Sequence, residues 1–170
     1  MKINYRSIEE EELVVFADAS FAPNLPTNAT LENLENDDYM AKLDPYLVSG
    51  FAVFHRGNLV HWNSVQRKLI ALSSTAAEIL AISENLDHFL IPRDILQEIM
   101  DETHIVEIFE DNTSARIMLQ GCQNKWLRHL LLHSAAVQKE VESGTIKIFD
   151  IAGKDQPADA LTKALSGEKF

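Results

Sequence analysis

Apolar and polar positions follow two different periods along this chain, and the changes of period mark out its elements. Residues 13–20, LVVFADAS, form a β-branched and aromatic run of strand type, preceded by an acidic stretch at 8–12. Residues 47–55 and 59–64 repeat that character on either side of Arg56-Gly57-Asn58, which supplies turn residues, so the two runs predict a β-hairpin. The period then lengthens. Ser73-Ser74-Thr75 offers capping hydroxyls ahead of Ile79, Leu80, Ile82, Leu86, Phe89 and Leu90, which are spaced for one helix face. Pro92 is expected to kink or interrupt this helix, whose tail reaches Met100. HIVEIFEDN returns to strand character and ends at Asp111-Asn112. Helices are expected over 113–119 and about 126–142, the second stopping at Ser143-Gly144. TIKIFDI is the last strand and DQPADALTKAL the last helix, with Pro157 near its first turn.

The resulting order, βββαβααβα, predicts an α/β fold with a five-stranded mixed sheet flanked by helices. Its first three strands run antiparallel, and the rest join by right-handed parallel crossovers. Between the first two strands, residues 23–46 carry Pro23, Pro26, several asparagines and the acidic cluster Glu32, Glu35, Asp37 and Asp38. This segment reads as an inserted loop with at most a short helix in ATLENLENDDYMAKL.

Composition narrows the functional classes. With 170 residues, 46% of them hydrophobic, the chain suffices for one domain with a substantial core. A net charge of -11 excludes binding of nucleic acid by a generally basic surface, so any such contact needs a local patch. Cys122 is the single cysteine and has no partner for an internal disulfide. No leader and no membrane-spanning apolar run is evident, so a soluble protein of a reducing compartment is the expectation.

Four carboxylates stand where a purely structural sequence rarely puts them. Asp18 follows an apolar strand run and Asp111 ends another; Glu78 begins an apolar helix, sharing a face with Ala81 and Ile82; Asp159 lies in the first turns of the last helix. If the first and fourth strands are neighbours, Asp18 and Asp111 lie side by side at one edge of the sheet. Each residue alone has an ordinary explanation as a turn, cap or first-turn carboxylate. Together they pose a repulsion problem, which protons or a divalent cation would relieve. Oxygen-only ligands favour a hard ion such as Mg²⁺. Two such ions about 4 Å apart activate water and stabilise the leaving oxygen in phosphodiester hydrolysis.

Six ordered stretches, ADASFA, SGFAVF, VHWNSVQRKLIALSSTAAEILAIS, EDNTSA, KEVESGTIKI and DQPADALTKAL, carry a family likeness. Over residues 14–170 the chain resembles the ribonuclease H domain at the C-terminal end of the polyproteins of copia-type LTR retrotransposons. The resemblance implies a ribonuclease H-like fold and a two-metal site holding Mg²⁺, with Mn²⁺ as a substitute. Its four carboxylates fall on Asp18, Glu78, Asp111 and Asp159, the residues that placement alone singles out. It further implies an RNA·DNA hybrid as substrate, an upstream reverse transcriptase domain in the same polyprotein, no membrane, and a cytoplasmic setting in virus-like particles. Departures are Ala76 where the family commonly has a second glutamate, Arg128-His129-Leu130-Leu131 in place of a lysine-histidine-hydrophobic-aspartate pattern, Ala164 where a proline is usual, and the long acidic insert. Relatives often carry a histidine before the last helix that helps product leave. Here that connection is Ala152-Gly153-Lys154-Asp155, so modest turnover is expected.

Arg67, Lys68, Lys125 and Arg128 are the candidates for a phosphate-tracking patch. Ser74 and Asn112 are candidate donors to the minor groove or to the 2′-hydroxyl that distinguishes RNA from DNA. Trp62 and Trp126 read as packing anchors, and His129 with His133, four apart, lacks a third zinc ligand. The expectation is an endoribonuclease that cuts the RNA strand of a hybrid. The alternatives are a catalytically silent tether module, disfavoured by the presence of all four carboxylates, and a DNA-directed nuclease of the same fold.

Overall fold

The computed structural model describes residues 13–20, 47–67, 71, 73–121 and 130–163. The acidic start, the insert at 23–46, Lys68, Cys122, Lys125, Trp126, Arg128, His129 and residues 164–170 lie outside them. The strands are β1 (Leu13–Ser20), β2 (Leu47–His55), β3 (Asn58–Arg67), β4 (Val106–Glu110) and β5 (Ile146–Asp150). The helices are α1 (Ser74–Ser83), α2 (Leu86–Met100), α3 (Thr113–Leu119), α4 (Leu131–Glu142) and the single turn α5 (Asp159–Thr162), which follows a 3₁₀ turn at Gly153–Asp155.

The strands form one sheet in the order β3-β2-β1-β4-β5. β1 pairs antiparallel with β2, and β2 with β3; β1 pairs parallel with β4, and β4 with β5. This is the mixed sheet that the order of elements predicts. β1 is central, and all eight of its residues are buried, consistent with its nearly continuous apolar run. The hairpin turns on Arg56 and Gly57, both at positive φ, the combination a tight two-residue turn with the correct twist requires. Asn58 opens β3 instead of completing the turn, and β3 runs on to Arg67, three residues past the expected end.

Residues alternate across the sheet. Leu13, Val15, Ala17, Phe51, Val53, Val106, Ile108, Ile146 and Ile148 form the main core with Ala77, Ile79 and Ile82 of α1 and Val137 of α4. On the opposite face Val14 and Phe16 pack with Ala158. There an aromatic row crosses four strands: Phe54 meets Phe16 edge-on at 5.7 Å, Phe16 stacks on Phe109 at 5.4 Å, and Phe109 on Phe149 at 5.5 Å.

The long helix breaks earlier than its sequence predicts. Pro92 sits inside α2 without ending it, and the chain leaves helical register at Glu84-Asn85. The reason is a side chain competing with the backbone: Asn85 Nδ2 donates to Ala81 O at 2.6 Å, while Asn85 Oδ1 accepts from Arg67 Nη2 at 2.7 Å. Ser73 caps α1 by accepting the Ala76 N–H, and α4 stops at Ser143, as its sequence suggests. The last helix is shorter than expected, with one described turn at Asp159–Thr162.

That turn docks where a side chain is missing. Gly50 of β2 pairs with Asp18 of β1 on one side and Ser64 of β3 on the other. A Cβ on Gly50 would lie 2.6 Å from Leu161 Cβ and 2.9 Å from Thr162 Cγ2. Ser64 Oγ donates to Leu161 O at 2.5 Å, holding the turn from the edge strand. Gly50→Ala should therefore force α5 off the sheet and lower stability by about 1–3 kcal/mol. Denaturant unfolding checks this, and an unchanged midpoint would rule out the close approach.

Candidate active site

The parallel register of β1 with β4 ends at Phe16 beside Phe109, and two residues further along each chain lie Asp18 and Asp111. α1 crosses this end of the sheet with Glu78 turned inward. One carboxylate oxygen from each of Asp18, Glu78 and Asp111 lies within 4.8 Å of the other two. Asp18 is 1% exposed and Glu78 6%, while Asp111 is intermediate. The sequence prediction of side-by-side aspartates with an inward glutamate is met by this geometry.

Asp159 stands one link away. Lys163, four residues on, places its Nζ 2.5 Å from Asp159 Oδ1 and 3.3 Å from Asp18 Oδ1. The other oxygen of Asp18 accepts a hydrogen bond from Thr162 Oγ1. Thr162 of α5 and Lys163, the residue after it, thus engage both oxygens of Asp18, and the ammonium joins Asp159 to the group. Gln156, 5% exposed, donates to Ala17 O at 2.9 Å and Phe109 O at 3.4 Å, clamping β1 to β4 just before their aspartates.

A fifth carboxylate belongs to this end of the sheet. Glu110 is fully buried, and its Oε1 accepts the Asn112 N–H at 2.8 Å. The signal for it was the alternation along β4: Val106, Ile108 and Glu110 face the same core, so an acid at the third position has to be inside. Burial above all, with the charges of Glu110, Asp18 and Asp111, pushes Glu78 up to about 10. Burial likewise raises Glu110 to about 8 against its hydrogen bond from Asn112, with Asp111 and Asp18 adding to the rise. Asp111 is raised by burial and by Asp18, with Lys163 opposing.

The donor set fits a hard divalent cation. It is all oxygen, and Glu78 Oε2 and Glu110 Oε2 are buried with no hydrogen-bond partner among the described residues.

The remaining sequence candidates are placed as follows. Asn112 caps α3, accepting the Ala115 N–H at 3.1 Å, and Thr75 Oγ1 donates to the same oxygen at 3.5 Å, tying the starts of α1 and α3 together. Ser74 is exposed at the first residue of α1. The guanidinium of Arg67 is engaged by Ser49 at 3.2 Å, Asn85 at 2.7 Å and Glu84 at 3.7 Å, so it braces β3 against the α1–α2 break.

The unfolded chain gives up its glutamate protons near pH 4.5, whereas Glu110 keeps its proton to about 8 and Glu78 to about 10 in the fold. Across that window the unfolded state binds fewer protons, so in EDTA stability should fall as pH rises from 5 to 8. Each group contributes at most about 1.4 kcal/mol per pH unit. Denaturant titrations at several pH values measure the slope, Glu110→Gln should flatten it, and stability that rises with pH would contradict the burial of these acids.

No family model matches the chain. It is 26% identical over 147 residues to the retrovirus-related Pol polyprotein from transposon RE2 of Arabidopsis thaliana, covering 83% of the chain and 10% of that protein. It is 24% identical over 123 residues to the Pol polyprotein from transposon TNT 1-94 of Nicotiana tabacum, covering 72% and 9%. The chain thus spans about a tenth of the length of these curated relatives. Among solved structures, LC11-RNase H1, isolated from compost, matches with a TM-score of 0.61 at 16% identity, over 89% of this chain and 93% of that one. The same protein in complex with an RNA/DNA hybrid matches with a TM-score of 0.54 at 15% identity, over 88% and 93%. The N-terminal RNase H domain of Rv2228c from Mycobacterium tuberculosis gives 0.59 at 13% identity, over 90% and 91%. The chain has the ribonuclease H-like fold, and its sequence is similar to retrovirus-related Pol polyproteins of plant transposons, in keeping with the resemblance carried by its motifs.

Proposed function

We propose that this chain is a metal-dependent endoribonuclease that hydrolyses the RNA strand of RNA·DNA hybrids, working within a retrotransposon polyprotein during reverse transcription. The observation that carries the reading is the convergence of Asp18, Glu78 and Asp111 at the end of β1 and β4 in a ribonuclease H-like sheet. Likeness to a protein solved with an RNA/DNA hybrid supports the substrate, and the Pol polyprotein relatives support the setting.

Asp18, Glu78 and Asp111 would hold two Mg²⁺ ions, or Mn²⁺ in their place, with Asp159 completing the set. When bound, the ions supply a lowered pKa for the attacking water and stabilisation of negative charge on the departing 3′ oxygen. The chain's own part is to fix the acids. Gln156 locks the relative position of the two strands, and Thr162 orients Asp18. Ser74 and Asn112 stand at the starts of two helices linked through Thr75, where they would meet the sugar edge of the RNA strand. Hydrolysis leaves a 3′-hydroxyl and a 5′-phosphate. Lys68, Lys125 and Arg128 are proposed to track phosphates, and Arg67 is proposed to act through its brace on β3. An upstream reverse transcriptase domain would supply most of the affinity for the hybrid, since the net charge of -11 opposes it.

Labelled RNA·DNA, RNA·RNA and DNA·DNA duplexes, incubated with the purified domain in Mg²⁺ or EDTA, test this directly. Only the RNA of the hybrid should be cut. Asp111→Asn should lower the rate by more than about 100-fold, beyond the loss that substitution of an outer-shell metal partner gives. Absence of cleavage by the folded domain with its upstream partner attached would favour the silent tether, and cleavage of DNA·DNA would favour the DNA-directed nuclease. Cleavage by the isolated domain should also weaken steeply as salt rises; a rate unchanged across a tenfold salt range would contradict phosphate-driven binding.

A further inference from the structure

We propose that Lys163 is a tethered counter-ion of this site, occupying Asp18 and Asp159 in place of a divalent ion and giving them up when the ion binds. The inference rests on the metal-binding reading above and adds a step to it: ion binding becomes an exchange of one cation for another.

Three observations carry it. First, the ammonium group touches both the most buried of the three converging acids and the outlying Asp159, at 3.3 Å from Asp18 Oδ1 and 2.5 Å from Asp159 Oδ1. Second, Asp18 is shared: it is one of the three acids whose oxygens converge, and its second oxygen is taken by Thr162. An ion ligated by Asp18 would share that carboxylate with the Lys163 ammonium, and two cations so close repel. Third, the lysine can leave. Its side chain is 45% exposed whereas that of Asp18 is 1% exposed, so the long stem can swing the charge into water while the aspartate stays fixed. Burial disfavours the ammonium charge, but the hydrogen bond to Asp159 and the charges of Asp18 and Asp159 outweigh it and raise its pKa, so the group remains a cation.

The i, i+4 spacing of Asp159 and Lys163 gives the exchange its second half. While the pair is closed, one oxygen of Asp159 is held by the Lys163 ammonium. Loss of the ammonium frees Asp159 to turn toward the ion. Lys163 thus keeps crowded carboxylates compatible with folding and delays the fourth acid until an ion arrives.

The test is Mn²⁺ binding, followed by titration calorimetry and by the shift in melting temperature, for wild type, Lys163→Met, Lys163→Arg and Asp111→Asn. Methionine keeps much of the stem without the charge. Lys163→Met should bind Mn²⁺ about tenfold more tightly and show a larger Mn²⁺-induced melting shift. Lys163→Arg should stay close to wild type, and Asp111→Asn should lose binding. Binding in wild type and Lys163→Met that is equal within twofold, or weaker in the variant, overturns the counter-ion role and leaves the metal reading standing. Absence of binding in both overturns the metal reading and this proposal together. Binding by Lys163→Met alone supports the exchange in its strongest form.

Discussion

Asp18 sits on a strand whose every residue is buried, and the arrangement around it is an answer to that single electrostatic difficulty. A carboxylate in such a place is tolerated only with donors, protons or cations at hand. Each is present. Thr162 donates to one oxygen and Lys163 approaches the other, while raised pKa values leave Glu78 and Glu110 as neutral acids below the range where they would repel it. The sheet register makes the difficulty unavoidable, because the parallel pairing that buries Phe16 against Phe109 also brings the next two acids together.

Much of this was readable from residue types. β-branched and aromatic runs located all five strands, Ser73 announced its helix, and the three acids that converge were singled out by their positions at strand and helix ends. Two of the departures share a physical cause: a side chain whose partner lies far off in sequence, as Asn85 with Arg67 and Lys163 with Asp18. The helix breaks at Asn85 because that amide binds Ala81 and Arg67, and Arg67 comes from the hairpin eighteen residues earlier. Proline was the more conspicuous local signal, and it does not interrupt α2, which continues through it to Met100. Arg67 was a candidate for the phosphate-tracking patch, and its contacts with Ser49, Asn85 and Glu84 add a structural use that its own segment did not announce. Glu110 was visible in the alternation of β4 but was overshadowed by the aspartate beside it. The pairing of Lys163 with Asp159 lies in the i, i+4 spacing of its own segment, whereas its contact with Asp18 follows from docking of α5.

The same docking joins distant parts of the chain. Thr162 and Asp18 are 144 positions apart, and Gln156 reaches Ala17 across 139. The antiparallel hairpin and the helices that follow it are built from nearer partners. Contacts at the largest separations carry the greatest loop-closure cost and tend to form late.

The sheet and its main core do not rely on those distant contacts. The sheet can close and the core can pack while the notch above Gly50 is still open and Asp18 lacks its clasp. The clasp on Asp18 is therefore a meeting of the first described strand with the last described turn, and the geometry of the acids depends on how well that distant turn is seated.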